Sequence, residues 1–328
     1  MYVGLNVHTR LDVDNDMILK ENLNLRKAIP YVRNELILAV GVSGAVYAAY
    51  ELADVSEIAL PNVLPAVLGG ALAIFLGFRN SAAYARWGEA AQLWAAISNY
   101  SRVFARLIVT FVESHNHTPQ YDTAKAKAYH QEMIYRHLAW VNALRLQLRG
   151  QTDWDVLRPF LNDADFAHIS TKHNKPAALM VMQGHRIYDG MRDSTLQGFD
   201  SFQLEGCLAQ LSNYQAQCER IKTIPIPRQY TFFTRLFVWV FIMLIPFSFV
   251  QIFANVEMSW LIIPVTVLLA FVFGIVERTG AVNESPFENR LTDVPLSDYC
   301  IKIERDLREL LDEAKLPELL LPQNGYLF

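Results

Sequence analysis

Two apolar runs with no charged residue, 236–254 and 260–276, follow one another late in the chain, closed by Glu257 and by Glu277-Arg278 respectively. A helix that crosses the hydrocarbon of a bilayer needs about 20 predominantly apolar residues, so the pair predicts a helical hairpin through a membrane. Two earlier runs, 36–49 between Glu35 and Glu51, and 63–78, reach the required length with their flanks. Four spans are therefore expected. The composition agrees: 52% of residues are hydrophobic, yet 19% are charged, too many for a protein made almost wholly of membrane helices.

The short loops orient these spans. Residues 52–62 carry Asp54 and Glu57, and residues 252–259 carry Glu257, with no Lys or Arg in either. The opposite ends hold Arg26, Lys27, Arg33, Arg79, Arg86, Arg228, Arg235 and Arg278. The excess of basic residues on the cytoplasmic side of membrane proteins places both short loops outside and both termini in the cytoplasm. A cleavable signal peptide is not expected, because residues 1–20 are polar and contain Asp12, Asp14 and Asp16. Cys207, Cys218 and Cys300 fall on the cytoplasmic side, so no disulfide framework is expected. The net charge of −4 and the absence of a basic block give no reason to expect nucleic acid as a partner.

Between Arg79 and Arg228 lie about 150 residues, too many for a loop without its own fold. Apolar residues at Leu93, Trp94, Ile97, Val103, Phe104, Leu107 and Ile108 recur at close to helical spacing. Further helices are predicted over 124–149, stopped by Gly150, then 153–160, 175–192, 194–223 and 297–314, the last capped by Ser297 with Asp298 behind it. Nothing reads as a strand. The chain divides into a cytoplasmic N-terminal segment (1–30), spans one and two (31–87), a cytoplasmic helical domain (88–229), spans three and four (230–278) and a cytoplasmic C-terminal loop and helix (279–328). The fold class is all-α, with membrane helices continuous with cytoplasmic ones.

That continuity is clearest at residues 73–87, where an apolar helix runs into Phe78-Arg79-Asn80 and on to Tyr84-Ala85-Arg86-Trp87 with no Gly or Pro break where the membrane should end. Pro65, Gly69, Ala73, Gly77, Ser81 and Ala85 recur every four residues as a small-residue stripe, which lets helices approach closely in lipid. A parallel stripe about 100° around the helix carries Ala66, Gly70, Ile74, Phe78, Ala82 and Arg86. If copies pack through the first stripe around an axis, the second faces a lumen, and rings of Ile74 and Phe78 make a dry constriction. The alternative is an ordinary buried helix whose glycines serve packing.

Residues Ile74-Phe75-Leu76-Gly77-Phe78-Arg79-Asn80, Tyr84-Ala85-Arg86-Trp87 and Leu93-Trp94 resemble the corresponding segment of bacterial bestrophin homologues. The resemblance recurs at Cys218-Glu219-Arg220-Ile221, at Thr223-Ile224-Pro225-Ile226-Pro227 with Tyr230, at Glu284-Ser285-Pro286-Phe287 and at Asp293-Val294-Pro295-Leu296. It extends from about Pro30 to the last helix, in order and at compatible spacing. It implies a homopentameric channel with one axial pore in a lipid membrane. It also implies a neck built by the second span, at Gly70, Ile74 and Phe78. Gly70 stands where the family usually has a bulky apolar residue, so the neck is expected to lack a ring and to be wider or wetter on its outer side. A second constriction at the cytoplasmic exit falls by the same resemblance at Phe199, with Phe202 as the alternative.

Animal bestrophins bind calcium through an acidic run after the fourth span; the matching region here holds Glu284, Glu288 and Asp293 with Arg290 among them. Calcium takes six to eight oxygens, and these scattered carboxylates do not supply them. The run Asp12-Val13-Asp14-Asn15-Asp16 opens like a calcium loop but has Met17 where the loop needs Gly and Leu23 in place of the bidentate Glu. No cofactor is expected beyond permeant monovalent ions. His115 and His117, with His130 or His137, have no cysteine beside them and read as solvated rather than metal-binding. No nucleophile elbow, zinc-protease pattern or phosphate-binding glycine loop occurs, so an enzyme is not expected.

Uncharged neck rings set size and dehydration rather than the sign of the permeant ion, which must come from the vestibules. Asp54, Glu57 and Glu257 would concentrate cations at the outer mouth. Within the family animal members conduct chloride and a bacterial branch conducts monovalent cations, and the acidic loops lean toward the latter. An anion channel and a non-conducting membrane scaffold or sensor are the alternatives. A secondary transporter needs midplane charges or broken helices, and spans three and four lack the former.

Overall fold

The computed structural model describes residues 17–18, 29–53, 59–117, 119, 121–255, 257–290, 292–320 and 326–327. The chain forms two compact units, Lys20–Glu89 with Ile224–Pro286, and Met1–Leu19 with Ala90–Thr223 and Phe287–Phe328.

Among the described residues four helices are long and apolar enough to cross a membrane, and their apolar stretches lie in the first unit. A 3-10 turn, Ile29–Val32, leads into α1 (Arg33–Ala53). Helix α2 (Val63–Ser114) contributes residues 63–89 here and runs unbroken past Arg79 and Trp87. Helix α7 (Arg228–Ala254) and helix α8 (Ile262–Asn283) complete the unit. Pro264 lies in the first turn of α8, where no intrahelical N–H is required; Pro246 lies inside α7. The core is made by Ala39 of α1, Leu72 and Leu76 of α2, Val238, Phe241, Ile242 and Ile245 of α7 and Ala270 of α8. Phe241 meets Phe273 edge-on at 4.8 Å. Much of each span stays uncovered by its own chain, as required of helices that face lipid or other copies.

The second unit is built around α3 (Thr123–Arg149). Asp122 caps it by accepting from the N–H groups of Ala124 (2.8 Å) and Lys125 (3.4 Å). Gly150 ends it in the left-handed conformation at φ 66°, the reason a glycine is needed there. From Met133 onward α3 is buried almost all round, including Ile134, Leu138, Trp140 and Leu144, which is the signature of a central helix. Around it lie the 3-10 segment Trp154–Phe160, α4 (Asp163–Ser170), α5 (Lys175–Arg192), α6 (Gly198–Thr223) and α9 (Leu296–Glu309). A two-residue antiparallel pair, Met17–Ile18 with Tyr326–Leu327, is the one strand pairing among the described residues and departs from the all-helical expectation.

Three helix boundaries differ from expectation. Helix α6 starts at Gly198 rather than Ser194, because Ser194 is left-handed (φ 61°) and Asp200 binds back to the N–H of Gln197 at 2.9 Å. Helix α9 starts one residue before Ser297, whose hydroxyl accepts from Arg149 Nη1 (2.7 Å) instead of capping. It ends at Glu309 because Asp312 turns left-handed (φ 57°) while the Glu313 carboxylate folds back to Arg308. Helix α4, capped by Asn162 through the N–H of Asp165, has no sequence-stretch long enough to show a period.

Candidate functional site: the neck helix

Helix α2 meets the rest of its unit along Pro65, Leu72, Leu76, Arg79 and Ala83, all buried. The bulky residues of its neighbouring stripe lie off that face: Ile74 is 63% and Phe78 75% exposed. Gly70 has open space where a Cβ would project. Most of the small-residue stripe is also uncovered by its own chain, since Ala73, Gly77, Ser81 and Ala85 are exposed. Only its outer end is used internally: Pro65 is buried and Gly69 sits under the Phe241 ring, which a Cβ would meet at 2.9 Å. Within the subunit, then, α2 packs through leucines, and both stripes are left to face something else.

Arg79, next to Phe78 but on the opposite side, is fully buried. Its Nη1 donates to Glu277 Oε1 at 3.0 Å, and Nε and Nη2 both reach Glu284 Oε1, at 2.9 and 2.8 Å. Nη2 also lies 3.4 Å from the Thr231 hydroxyl. Read only as a basic residue marking the cytoplasmic side, Arg79 proves to be a fork that ties α2 to α7 and α8. Its charge is more than balanced by two carboxylates. Below it Asn80 donates to the carbonyl of Val276 (3.1 Å), and its Oδ1 lies 2.0 Å from where a Cβ on Gly280 would stand. Arg86 donates to the carbonyl of Ile224 (2.6 Å) in the Ile-Pro-Ile-Pro turn.

Phe199 and Phe202, one turn apart at the start of α6, are 70% and 74% exposed. Asp200 between them is buried and holds this start in place: its Oδ2 lies 2.6 Å from His115 Nε2 as well as accepting from Gln197. His115 is thus engaged with a carboxylate rather than solvated. His137 is wholly buried against the Ser101 hydroxyl (2.9 Å), and burial pushes its pKa down to about 3. His130 is lowered too, again by burial. Another polar centre escaped the sequence reading. Glu219 Oε1 accepts from Gln147, Asn174 and Gln215, each at 2.9 Å, and Gln215 Oε1 in turn accepts from Trp140 Nε1 at 2.9 Å.

Of the acidic residues expected at the outer mouth, Glu257 is exposed in a left-handed turn (φ 57°) between α7 and α8; Asp54 and Glu57 lie outside the described residues, as does the Asp12–Asp16 run. The three carboxylates considered for calcium have other partners. Glu284 holds Arg79, Glu288 pairs with Lys222 at 2.7 Å, and Asp293 accepts from the N–H of Arg290 at 3.1 Å. Burial raises the Asp293 pKa to about 6. Among the described residues no three metal-ligating side chains converge.

Among the described residues, four helices of membrane-spanning length and a helical remainder define an all-α membrane protein, whose unbroken second helix leaves bulky apolar side chains uncovered. Residues 25–309 match the family described as bacterial/fungal bestrophin protein, and the chain belongs to that family. It is 30% identical over 260 residues to the voltage-dependent anion channel-forming protein YneE of Escherichia coli, covering 79% of this chain and 80% of that one. A voltage-dependent anion channel-forming protein of Ralstonia nicotianae is 31% identical over 250 residues, 76% and 77% of the two chains. Among solved structures, a bacterial bestrophin homolog from Klebsiella pneumoniae superposes with a TM-score of 0.76 at 26% identity, covering 87% of this chain and all of that one. The protein is an ion channel of this family.

Proposed function

We propose that the protein conducts monovalent ions passively through the axis of a homopentamer, with Gly70, Ile74 and Phe78 as its neck and Phe199 or Phe202 as its cytoplasmic aperture. The observation that carries the reading is the exposure of Ile74 and Phe78 on a helix that packs within its own subunit through another face. A large apolar side chain left uncovered one turn from a second one needs either lipid or a partner copy, and the small stripe beside it suits close helix approach. Rings of such residues gate by dewetting.

Monovalent cations are the preferred substrate in this reading. Glu257, with Asp54 and Glu57 in the other short loop, supplies negative charge at the outer mouth, and Arg79 offers no countering positive charge at the inner end of the neck. The competing reading, anion conduction, is favoured by the printed names of the Escherichia and Ralstonia relatives. No calcium or other cofactor is required. The protein resides in the bacterial inner membrane with both termini cytoplasmic.

The test is a reversal-potential measurement on purified protein in liposomes or planar bilayers under a sodium chloride gradient. Cation selectivity gives a potential of the sign of the sodium equilibrium; the opposite sign establishes the anion reading. Phe78→Ala should raise conductance severalfold by wetting the neck. Absence of current from both the parent and Phe78→Ala would reject conduction.

A further inference from the structure

Arg33 at the start of α1, Arg235 in the second turn of α7 and Arg278 near the end of α8 surround a cavity of about 210 Å³, together with Tyr31, Glu35 and Trp239. From the order and direction of these helices, all three arginines lie at the end of the bundle that carries Arg79. Three guanidinium groups face one carboxylate, a formal excess of two positive charges. Glu35 does not offset the arginines by pairing with them: its Oε1 accepts from Trp239 Nε1 at 3.4 Å. Among the described residues none of the three arginines makes an ion pair, and Arg278 Nε is a buried N–H with no acceptor. Nor does Arg33 serve the helix it opens. A cation in the first turn of α1 opposes the positive end of the helix dipole, so Arg33 is poorly placed for stability.

Such a site asks for an anion with several acceptor oxygens. The guanidinium fork matches phosphate geometry. The aromatic pair, Tyr31 (51% exposed) and Trp239 (37% exposed), has the composition of a membrane-interface belt. Immediately along the same helices the exposed side chains are apolar, Ile37 and Val40 on α1, Leu236 and Met243 on α7. A charged and aromatic cavity thus adjoins helix surfaces of lipid type, the arrangement of basic pockets between membrane helices that take anionic headgroups. We propose that this pocket binds the phosphodiester headgroup of an anionic phospholipid, with Arg235 and Arg278 as its principal ligands. The proposal rests on the membrane location of the protein and is independent of whether, or what, it conducts.

Each basic side chain at an anionic surface contributes about 1 kcal/mol, so a net of two gives a preference of roughly thirtyfold for an anionic over a zwitterionic headgroup. The experiment is native mass spectrometry of the full-length protein in detergent, titrated with phosphatidylglycerol or phosphatidylcholine of matched chains, with inorganic phosphate and glycerol phosphate as soluble competitors. The parent should prefer phosphatidylglycerol, and Arg235→Gln with Arg278→Gln should abolish the preference. Glu35→Gln removes the only opposing charge and should tighten binding about fivefold, a gain that a misfolded variant cannot imitate. Equal binding of the two lipids by the parent, as from a pocket closed by a second copy, overturns the proposal. So does retention of the preference in the double variant, or displacement of lipid by millimolar inorganic phosphate, which would make the site one for a soluble anion. Currents recorded from the same variants report on the neck separately.

Discussion

Phe78 and Arg79 are adjacent in the chain and opposite in circumstance, one uncovered and uncharged, the other buried and doubly paired. Truncating one partner of a buried pair leaves charge without compensation, at about 3–5 kcal/mol. Arg79→Ala strands both Glu277 and Glu284, so its melting temperature in detergent should fall well below that of the parent; an unchanged midpoint would refute the fork as a structural element. Gly70 offers the converse test. With open space at its Cβ, Gly70→Leu should change stability by no more than about 0.5 kcal/mol, the range of an uncovered surface change, while lowering single-channel conductance. The uncovered pair Ile74 and Phe78 was legible at this scale because two stripes of one helix differ in side-chain size. Arg79 was not, because its acceptors lie 198 and 205 residues away.

Among the elements, α2 was readable as one continuous helix because nothing between Phe78 and Trp87 breaks it. What the pattern of small residues did not reveal is which of them α2 needs inside its own subunit. Gly69 is needed there, and the closest fit of all is on another helix, at Gly280. Gly280→Ala drives a methyl into Asn80 and should destabilise the subunit by about 1–3 kcal/mol, as overpacking does; Gly77→Ala, which meets nothing within 4 Å in its own subunit, should spare the subunit and act on the packing between copies instead. Comparing the two by thermal unfolding monitored through size-exclusion chromatography checks the assignment. Starts and stops were less legible than spans. Ser297 looked like a cap, but Arg149 competes for its hydroxyl, and a competitor so far away in sequence leaves no local trace.

At the scale of the whole molecule, the four apolar helices followed from where charge stops and starts along the chain. The ionisation behaviour of the helical unit did not, since it depends on burial. His137, with its pKa pushed from 6.5 to about 3, stays neutral in the fold. The unfolded chain therefore binds the extra proton, and this contribution is intact above pH 6.5 and lost as pH falls through that value toward 3. Asp293, raised from 3.8 to about 6, acts in the other direction. Its fold-specific proton favours the native state below pH 3.8, and that advantage disappears as pH rises through 6. Between about pH 4 and 6 the two slopes, each up to roughly 1.4 kcal/mol per pH unit, oppose one another. Asp293→Asn removes one of them. Its melting temperature should drop more steeply than the parent's on acidification from pH 6 to 4; parallel curves would contradict the burial of this carboxyl group.

The fork at Arg79 also restricts how a neck can widen. A helix that rolls about its own axis by one residue's angle would exchange Ile74 and Phe78 for Ala73 and Gly77, the simplest way to open a bore. Yet that roll swings Arg79 away from Glu277, Glu284 and Thr231 together, giving up every hydrogen bond that satisfies it. Torsion of α2 is therefore the stiff coordinate of this subunit.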